Sequence, residues 1–413
     1  MMTTGPQKIT SYAWAVVALL WPVALLNYLD RQMVSSIRSS IRADIPSIAN
    51  DQDFGTLMAV FMWVYAFLSP VGGFLADKFN RRWMVIGSLF VWSAVTWATG
   101  HAQTYSQMLT LRALMGISEA FYIPAALALI ADFHTSGTRA RAIGIHQSGI
   151  YVGLALGGVS GYIAQTSSWR NCFTWFGAAG VIYSVVLMLA LREGRRQDSA
   201  TAKVPIRIGE TCRALWSQPA FWILVVYFTL PAIAGWVTKN WLPTYLADTF
   251  HLKQGPAGLS ATGYIQIASF VGVLLGGVVA DGWMRRTQRG RIYTSALGVL
   301  LLVPALLGLG YAGSLGVAIF AMILFGLGWG FFDCNNMPIL CQIARPEHRA
   351  TGYGFMNLVS ISVGAGATVV LGWMRDQHIP FSLAFAVSAA VALLSALLIL
   401  FLKPRPASAE STL

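Results

Sequence analysis

Asp30, Arg31, Arg112, Glu119, Lys239 and Asp333 are ionisable residues set inside long apolar stretches of a 413-residue chain. Carboxylates there can hold and release protons, and guanidinium or ammonium groups can attract a charged solute. An unpaired charge at the centre of an apolar helix costs roughly 2.5–3.5 kcal/mol on insertion scales, so six cost on the order of 15–20 kcal/mol. That rivals the net stability of a whole domain. The six must pair, neutralise or face a wet cavity. Three acids and three bases sum to zero when ionised, which allows complete pairing.

Their spacing narrows the options. In Asn27-Tyr28-Leu29-Asp30-Arg31, adjacent side chains point about 100° apart on a helix, so one can face a cavity while the other faces a partner helix. The alternative is that both snorkel at the outer interface. Arg112 and Glu119 are seven residues apart and share a helix face, ~10.5 Å apart along the axis. That is too far for a direct bond, so they either relay to Asp30 or Arg31 or serve packing. Glu119 precedes Pro124 by five residues and Asp333 precedes Pro338 by five. Symmetry then expects both carboxylates at one cavity, with Asn335 and Asn336 adding polarity; a hydrogen-bonded structural Asp333 is the alternative. Lys239, beside Asn240, either meets a substrate anion or snorkels. His146 and Gln147 either touch substrate or pack.

The elements that must position these groups are helices. The chain is 56% hydrophobic and only 11% charged. Twelve apolar blocks are long enough to span about 30 Å of hydrocarbon as helices: near 12–34, 54–77, 82–101, 105–131, 138–164, 170–191, 219–246, 257–281, 291–311, 315–341, 347–374 and 380–402. Barrel strands are excluded, because the blocks are too long and too uniformly apolar for a period of two. Residues 1–8 lead into the first block without a cleavage site, so that block is expected to span rather than be removed.

The net charge of +12 does not point to nucleic acid. Of 28 Lys and Arg, 20 fall in the N-terminus, the even-to-odd loops and the C-terminus. This bias expects a multi-pass protein of the bacterial inner membrane with both termini cytoplasmic. Cys172, Cys212, Cys334 and Cys341 have no paired spacing and read as small apolar fillers. No GxSxG, HExxH, P-loop or Cys/His ligand set stands in the loops, which argues against an enzyme and against a metal.

The polar stretch 192–218 divides the chain into a bundle at 1–191 and a bundle at 219–413, joined by a cytoplasmic linker. The halves look alike. Gly73, Ala76, Asp77, Arg81 and Arg82 recur as Gly277, Ala280, Asp281, Arg285 and Arg286, all offset by 204 residues. This repeated loop, with the span count and linker, resembles the major facilitator superfamily over the whole chain. The resemblance implies an all-α membrane fold of twelve transmembrane helices in two pseudo-symmetric six-helix bundles, and a monomer. The loops are then expected to brace the closed cytoplasmic side.

NYLDR in the first block, RALMGISEA in the fourth and Gly354-Phe355-Met356-Asn357 in the eleventh resemble the anion:cation symporter branch, with its galactonate, hexuronate and sialic acid carriers. That likeness implies Asp30 and Glu119 as proton acceptors, with Asp333 added from the duplication. Arg31 would attract a substrate carboxylate, Asn357 would hydrogen-bond it, and Tyr28 would line the cavity. Arg112, His146, Gln147, Lys239, Asn240 and Asn336 complete the candidate substrate contacts. Leu154 stands where the superfamily's antiporters place proline, and Ile150 stands where a polar contact is expected. The chain is also similar to bacterial spinster-like carriers, which are associated with lipids. The expectation is uptake of a small carboxylate coupled to H+, with no other cofactor; sodium coupling and lipid or drug export stay open.

Overall fold

Length and composition lead directly to the architecture. Each apolar block must satisfy its backbone internally in lipid, and a helix does so within one segment. The computed structural model describes residues 11–194 and 208–404. Lys8, Arg195, Arg196, Lys203, Arg207, Arg405 and the middle of the linker lie outside those residues. Among the described residues every regular element is helical.

The first bundle comprises α1 (Ser11–Ser36), α2 (Asp51–Lys78), α3 (Arg81–Thr99), α4 (Tyr105–Phe133), α5 (Ser136–Leu156, carried on to Thr166) and α6 (Trp169–Ala190). The second comprises α7 (Pro219–Phe250), α8 (Gln254–Met284), α9 (Gly290–Gly310), α10 (Leu315–Ile343), α11 (Arg349–Asp376) and α12 (Phe381–Ile399). A short helix, Arg38–Asp44, follows α1, and another, Ile208–Trp216, precedes α7. Asn50, Asn80, Thr104, Ser168 and Ser314 each accept a hydrogen bond from the first turn of the helix that follows, which sets where that helix starts.

Eleven helices are long and apolar enough to cross a membrane, against twelve expected. The remaining block, α3, is a helix of 19 residues. It falls short because Arg81, Arg82 and its Ser, Thr and Trp residues dilute its apolar character. It still packs as a full-length member of its bundle, against α4 and α6.

Two helices break at matching places. α4 stops at Glu119 and resumes at Tyr122; α10 stops at Asp333 and resumes at Asn336. The cause is local. Pro124 and Pro338 lack the N–H that would bond four residues back, and the ring crowds that carbonyl. Each break leaves a carboxylate at the C-terminal end of a helix segment, where the dipole favours positive charge. A cation must therefore stand nearby.

The bundles close on each other at the end opposite the linker. Asp376 of α11 caps the start of α2, accepting from the backbone N–H of Asp51 at 2.8 Å and of Gln52 at 2.9 Å. The Asp51 carboxylate is gripped by Arg38, by Arg42 at 2.6 Å and by Arg375 at 2.7 Å. Arg375 also reaches Asp248 at 2.8 Å. Gln254 joins the seam by accepting from Ser39 and Ser40, and Gln32 Nε2 donates to the Lys239 carbonyl at 3.0 Å. Backbones meet where side chains are absent: a Cβ on Gly55 would stand 2.9 Å from the Thr368 carbonyl oxygen. From the linker side the interior is accessible, and Gln147 and Asp333 are exposed there.

Removing the Asp51 carboxylate leaves three guanidiniums without their common counter-charge, at a cost of about 3–5 kcal/mol for such a largely buried partner. Asp51→Ala is expected to open this end of the molecule. Spin labels at the exposed positions Ala43 and Thr249 should then sit farther apart than in the parent, as they should in Gly55→Leu, which wedges α2 from α11. Unchanged distances in both variants would show that the seam does not hold the closure.

Candidate functional site

The first-bundle site is built on α1 and α4. Arg31 Nε donates to Glu119 Oε2 at 2.6 Å, joining the broken end of α4 to the middle of α1. The guanidinium carbon stands 4.5 Å from the Tyr28 ring centroid, 4.3 Å from Tyr65 and 5.2 Å from Phe61. Aromatic faces stabilise the cation without giving it a second counter-ion. Arg31 keeps a small exposed fraction, 11%, whereas Glu119 has none. Arginine therefore forms the cavity face, and glutamate stands behind it.

Asp30 and Arg31 diverge, as a 100° step requires. Asp30 is buried and turned into the bundle, where Thr96 of α3 donates to its Oδ2 at 3.2 Å. Arg112 is buried on the same side, 4.7 Å from the Phe61 ring, with Nη1 on Met115 Sδ at 3.3 Å. Asp30, Arg31, Arg112 and Glu119 lie within electrostatic reach of one another. They form one charge cluster with a single direct bond. Asp30 Oδ1, Glu119 Oε1, Arg31 Nη2, Arg112 Nε and both amide atoms of Asn27 are buried without a hydrogen-bond partner in the protein. Polar atoms buried without a protein partner call for an explanation, and here they gather around one charge cluster.

Second-bundle groups lie within electrostatic reach of the first-bundle cluster, with Asp333 acting on Tyr28. Tyr151 of α5 donates to Asp333 Oδ2 at 3.3 Å, linking the two bundles. Lys239 does not snorkel: its ammonium lies 4.4 Å from the Trp329 ring centroid and 5.5 Å from that of Trp236. Asn357 lies beside the Tyr353 hydroxyl, one turn along α11. Gln147 is exposed one turn before Tyr151 on the same face of α5.

Other expected contacts are placed elsewhere. His146 is fully buried and bonds the Tyr122 hydroxyl at 2.9 Å, so it belongs to the packing between α4 and α5. Asn240 is taken up by the seam, donating to Thr368 Oγ1 at 3.0 Å beside Met62. Asn336 is buried within the second bundle with neither amide atom paired. In the contacts the described residues make, the repeated loops brace their own bundles. Arg81 pairs with Asp132, Arg82 Nη2 donates to the Met188 carbonyl at 2.6 Å, and Asp281 pairs with Arg291 at 3.1 Å. Arg285 is exposed, Gly73 has open space around it, and the Asp77 side chain lies outside the described positions.

Sequence reasoning missed two sets of residues. Tyr151, one residue beyond Ile150, places its hydroxyl on Asp333. Asp51, Arg375 and Asp376 form the seam, and no pattern local to any one of them marks it. Among the described residues no His, Cys, Asp and Glu cluster could hold a metal ion.

Residues 20–369 match the family model described as Major Facilitator Superfamily. The chain is 23% identical to the protein described as "Probable galactarate/D-glucarate transporter GudP" of Escherichia coli (strain K12), over 73% of this chain and 72% of that one. It is 26% identical to Protein spinster of Drosophila melanogaster, over 90% of this chain and 64% of the relative. It is also 26% identical to an MFS-type efflux pump of Mycolicibacterium smegmatis (strain ATCC 700084 / mc(2)155), over 90% of this chain and 86% of the pump. The crystal structure of a bacterial homologue of the human lysosomal transporter Spinster, inward-facing and unoccupied, superposes with a TM-score of 0.79 at 20% identity, covering 96% of this chain and 100% of that one.

The placement of His146 is open to test. His146→Ala breaks a buried hydrogen bond and should lower stability by about 1–3 kcal/mol. Thermal melting should fall while ligand affinity in the purified protein stays within twofold. Lost affinity at unchanged melting would return His146 to the binding site.

Proposed function

The chain belongs to the Major Facilitator Superfamily, and we propose that it is a proton-coupled carrier that takes up a small organic anion by alternating access. The observation that carries this reading is the Arg31–Glu119 bond of 2.6 Å, with the guanidinium on the cavity face and the carboxylate behind it. A carboxylate substrate is the natural competitor for that arginine.

The mechanism follows from the geometry. A proton on Glu119 neutralises the acceptor of the Arg31 Nε–H, and the guanidinium is released toward the cavity. The substrate carboxylate takes its charge-assisted hydrogen bonds, which are shorter and stronger than neutral ones. Tyr28 and Asn357 complete the contacts. Asp30, held by Thr96 behind the arginine, is the alternative proton site on this side. Loaded with anion and proton, the cluster is balanced; half-loaded, it carries an unpaired charge through a dry intermediate. The ligand shifts the equilibrium between states by its difference in affinity for them.

The excess of basic residues on the linker side supports an orientation with that side and both termini in the cytoplasm of a bacterial inner-membrane protein. The Asp51 seam then closes the outer side, and the cavity opens inward. The working unit is a monomer, and the coupling ion H+ is the only cofactor. The galactarate/D-glucarate relative supports an anionic substrate. The spinster and efflux-pump relatives favour a second reading, export of a lipid or drug.

Proteoliposomes decide between them. An acid-outside gradient should stimulate uptake of the bound anion, and Arg31→Ala should weaken binding at least tenfold. Glu119→Gln should keep counterflow and lose proton-driven accumulation. Thermal stabilisation by lysolipids alone, with no response to sugar acids or aromatic carboxylates, would overturn anion uptake in favour of export.

A further inference from the structure

The second bundle holds a cation that the Arg31–Glu119 chemistry does not use. Lys239 stands on α7 beside the seam, where its carbonyl receives Gln32, the neighbour of Arg31. Its ammonium is positioned by two indoles that the backbone admits through glycines. Gly235 packs directly on the Trp329 ring and Gly364 on the Trp236 ring, so no side chain could be added at either without displacing the indole. Among the described residues, no carboxylate lies within ion-pair distance of Lys239; Asp333 acts on it from farther away. Trp and Lys stems supply a dry wall, and the charge is left for something in the cavity.

We propose that the cavity binds a dianion end to end, with one carboxylate on Arg31 of the first bundle and the other on Lys239 of the second. The inference rests on the anion reading above and names its substrate class as dicarboxylates. A molecule held this way bridges the bundles, so its release or binding acts directly on their relative position.

Charge balance sets the stoichiometry. With all groups ionised, the cations Arg31, Arg112 and Lys239 match the anions Asp30, Glu119 and Asp333. A dianion adds two negative charges, and two protons restore neutrality. Glu119 takes one beside Arg31, with Arg112, Asp30 and Tyr28 around it. Asp333 takes the other, facing Tyr151 of α5, Lys239 of α7, Tyr353 of α11, Tyr28 of α1 and its neighbour Cys334. No covalent bond changes; two protons and one dianion cross together, without net charge.

The test is binding and transport with matched pairs that differ in one carboxylate: galactarate with galactonate, adipate with hexanoate, phthalate with benzoate. At least one dicarboxylate should bind the purified protein ten times or more tightly than its monocarboxylate. Lys239→Gln should bring that ratio close to one while sparing the monocarboxylate. Asp333→Asn should keep dicarboxylate binding but reduce the protons carried per substrate from two to one, which makes uptake respond to membrane potential. Equal affinity within every pair, or a ratio untouched by Lys239→Gln, overturns the dianion and leaves anion transport standing. Failure of all six compounds to bind, with lysolipids binding instead, overturns both.

Discussion

A charge held away from water must keep a counter-charge within reach, and this constraint organises the whole molecule. Arg31 and Glu119 satisfy it with one bond of 2.6 Å between α1 and the broken end of α4. The break is itself what makes the bond necessary, because it leaves the acid at the negative end of a helix segment. Proline, carboxylate and arginine are thus one device. The same combination recurs in α10, where Asp333 ends the segment before Pro338 and Lys239 is the cation across the way. In the first bundle the pair is closed, and in the second it is held open by Trp236 and Trp329.

Alternating access needs two seals that are not satisfied together. In this state the seal is Asp51, shared among Arg38, Arg42 and Arg375 and reinforced by Asp376 capping α2. On the linker side, Arg81 with Asp132 and Asp281 with Arg291 keep charge within each bundle. Packed interfaces of this kind have discrete arrangements rather than a continuous range, so local rearrangement becomes a change of access. The charged seal suits an interface that must come apart. Water can take over its ion pairs on opening, which limits the cost of separation relative to a purely apolar contact of the same size.

Much of this was legible in the residues. Apolar blocks gave the helices because lipid leaves the backbone one local solution. The matching intervals from acid to proline marked Glu119 and Asp333 as equivalent positions, but the helix breaks that proline makes on the turn before it were not read from them. The divergence of Asp30 and Arg31 followed from helix geometry alone. What stayed hidden depended on distance along the chain or on fine placement. Asp51 meets Arg375 across 324 residues, and no local pattern encodes that contact. His146 reads equally as a ligand or a packing residue in the sequence, and only the fold shows its Nε2 bonded to Tyr122 of the neighbouring helix. The span at α3 shows the limit of hydropathy: a helix walled by its own bundle can carry Arg, Ser and Thr that a lone span could not.

In the proposed carrier, binding chemistry and gate are coupled through a single step of α1. Arg31 faces the cavity, and the next residue, Gln32, faces the seam and holds the Lys239 carbonyl. Rotation or shift of α1 that moves the guanidinium toward a substrate therefore also strains the contact with α7. Lys239 answers from the other side, because its backbone is in the seam and its ammonium lies over Trp329 and Trp236. A ligand that touches both cations favours one relative position of α1 and α7 over all others. An empty site has Glu119 to hold Arg31 and, among the described residues, no carboxylate at ion-pair distance from Lys239. The difference between the loaded and empty states then falls on the second bundle, and α7 is the element through which occupancy reaches the seal.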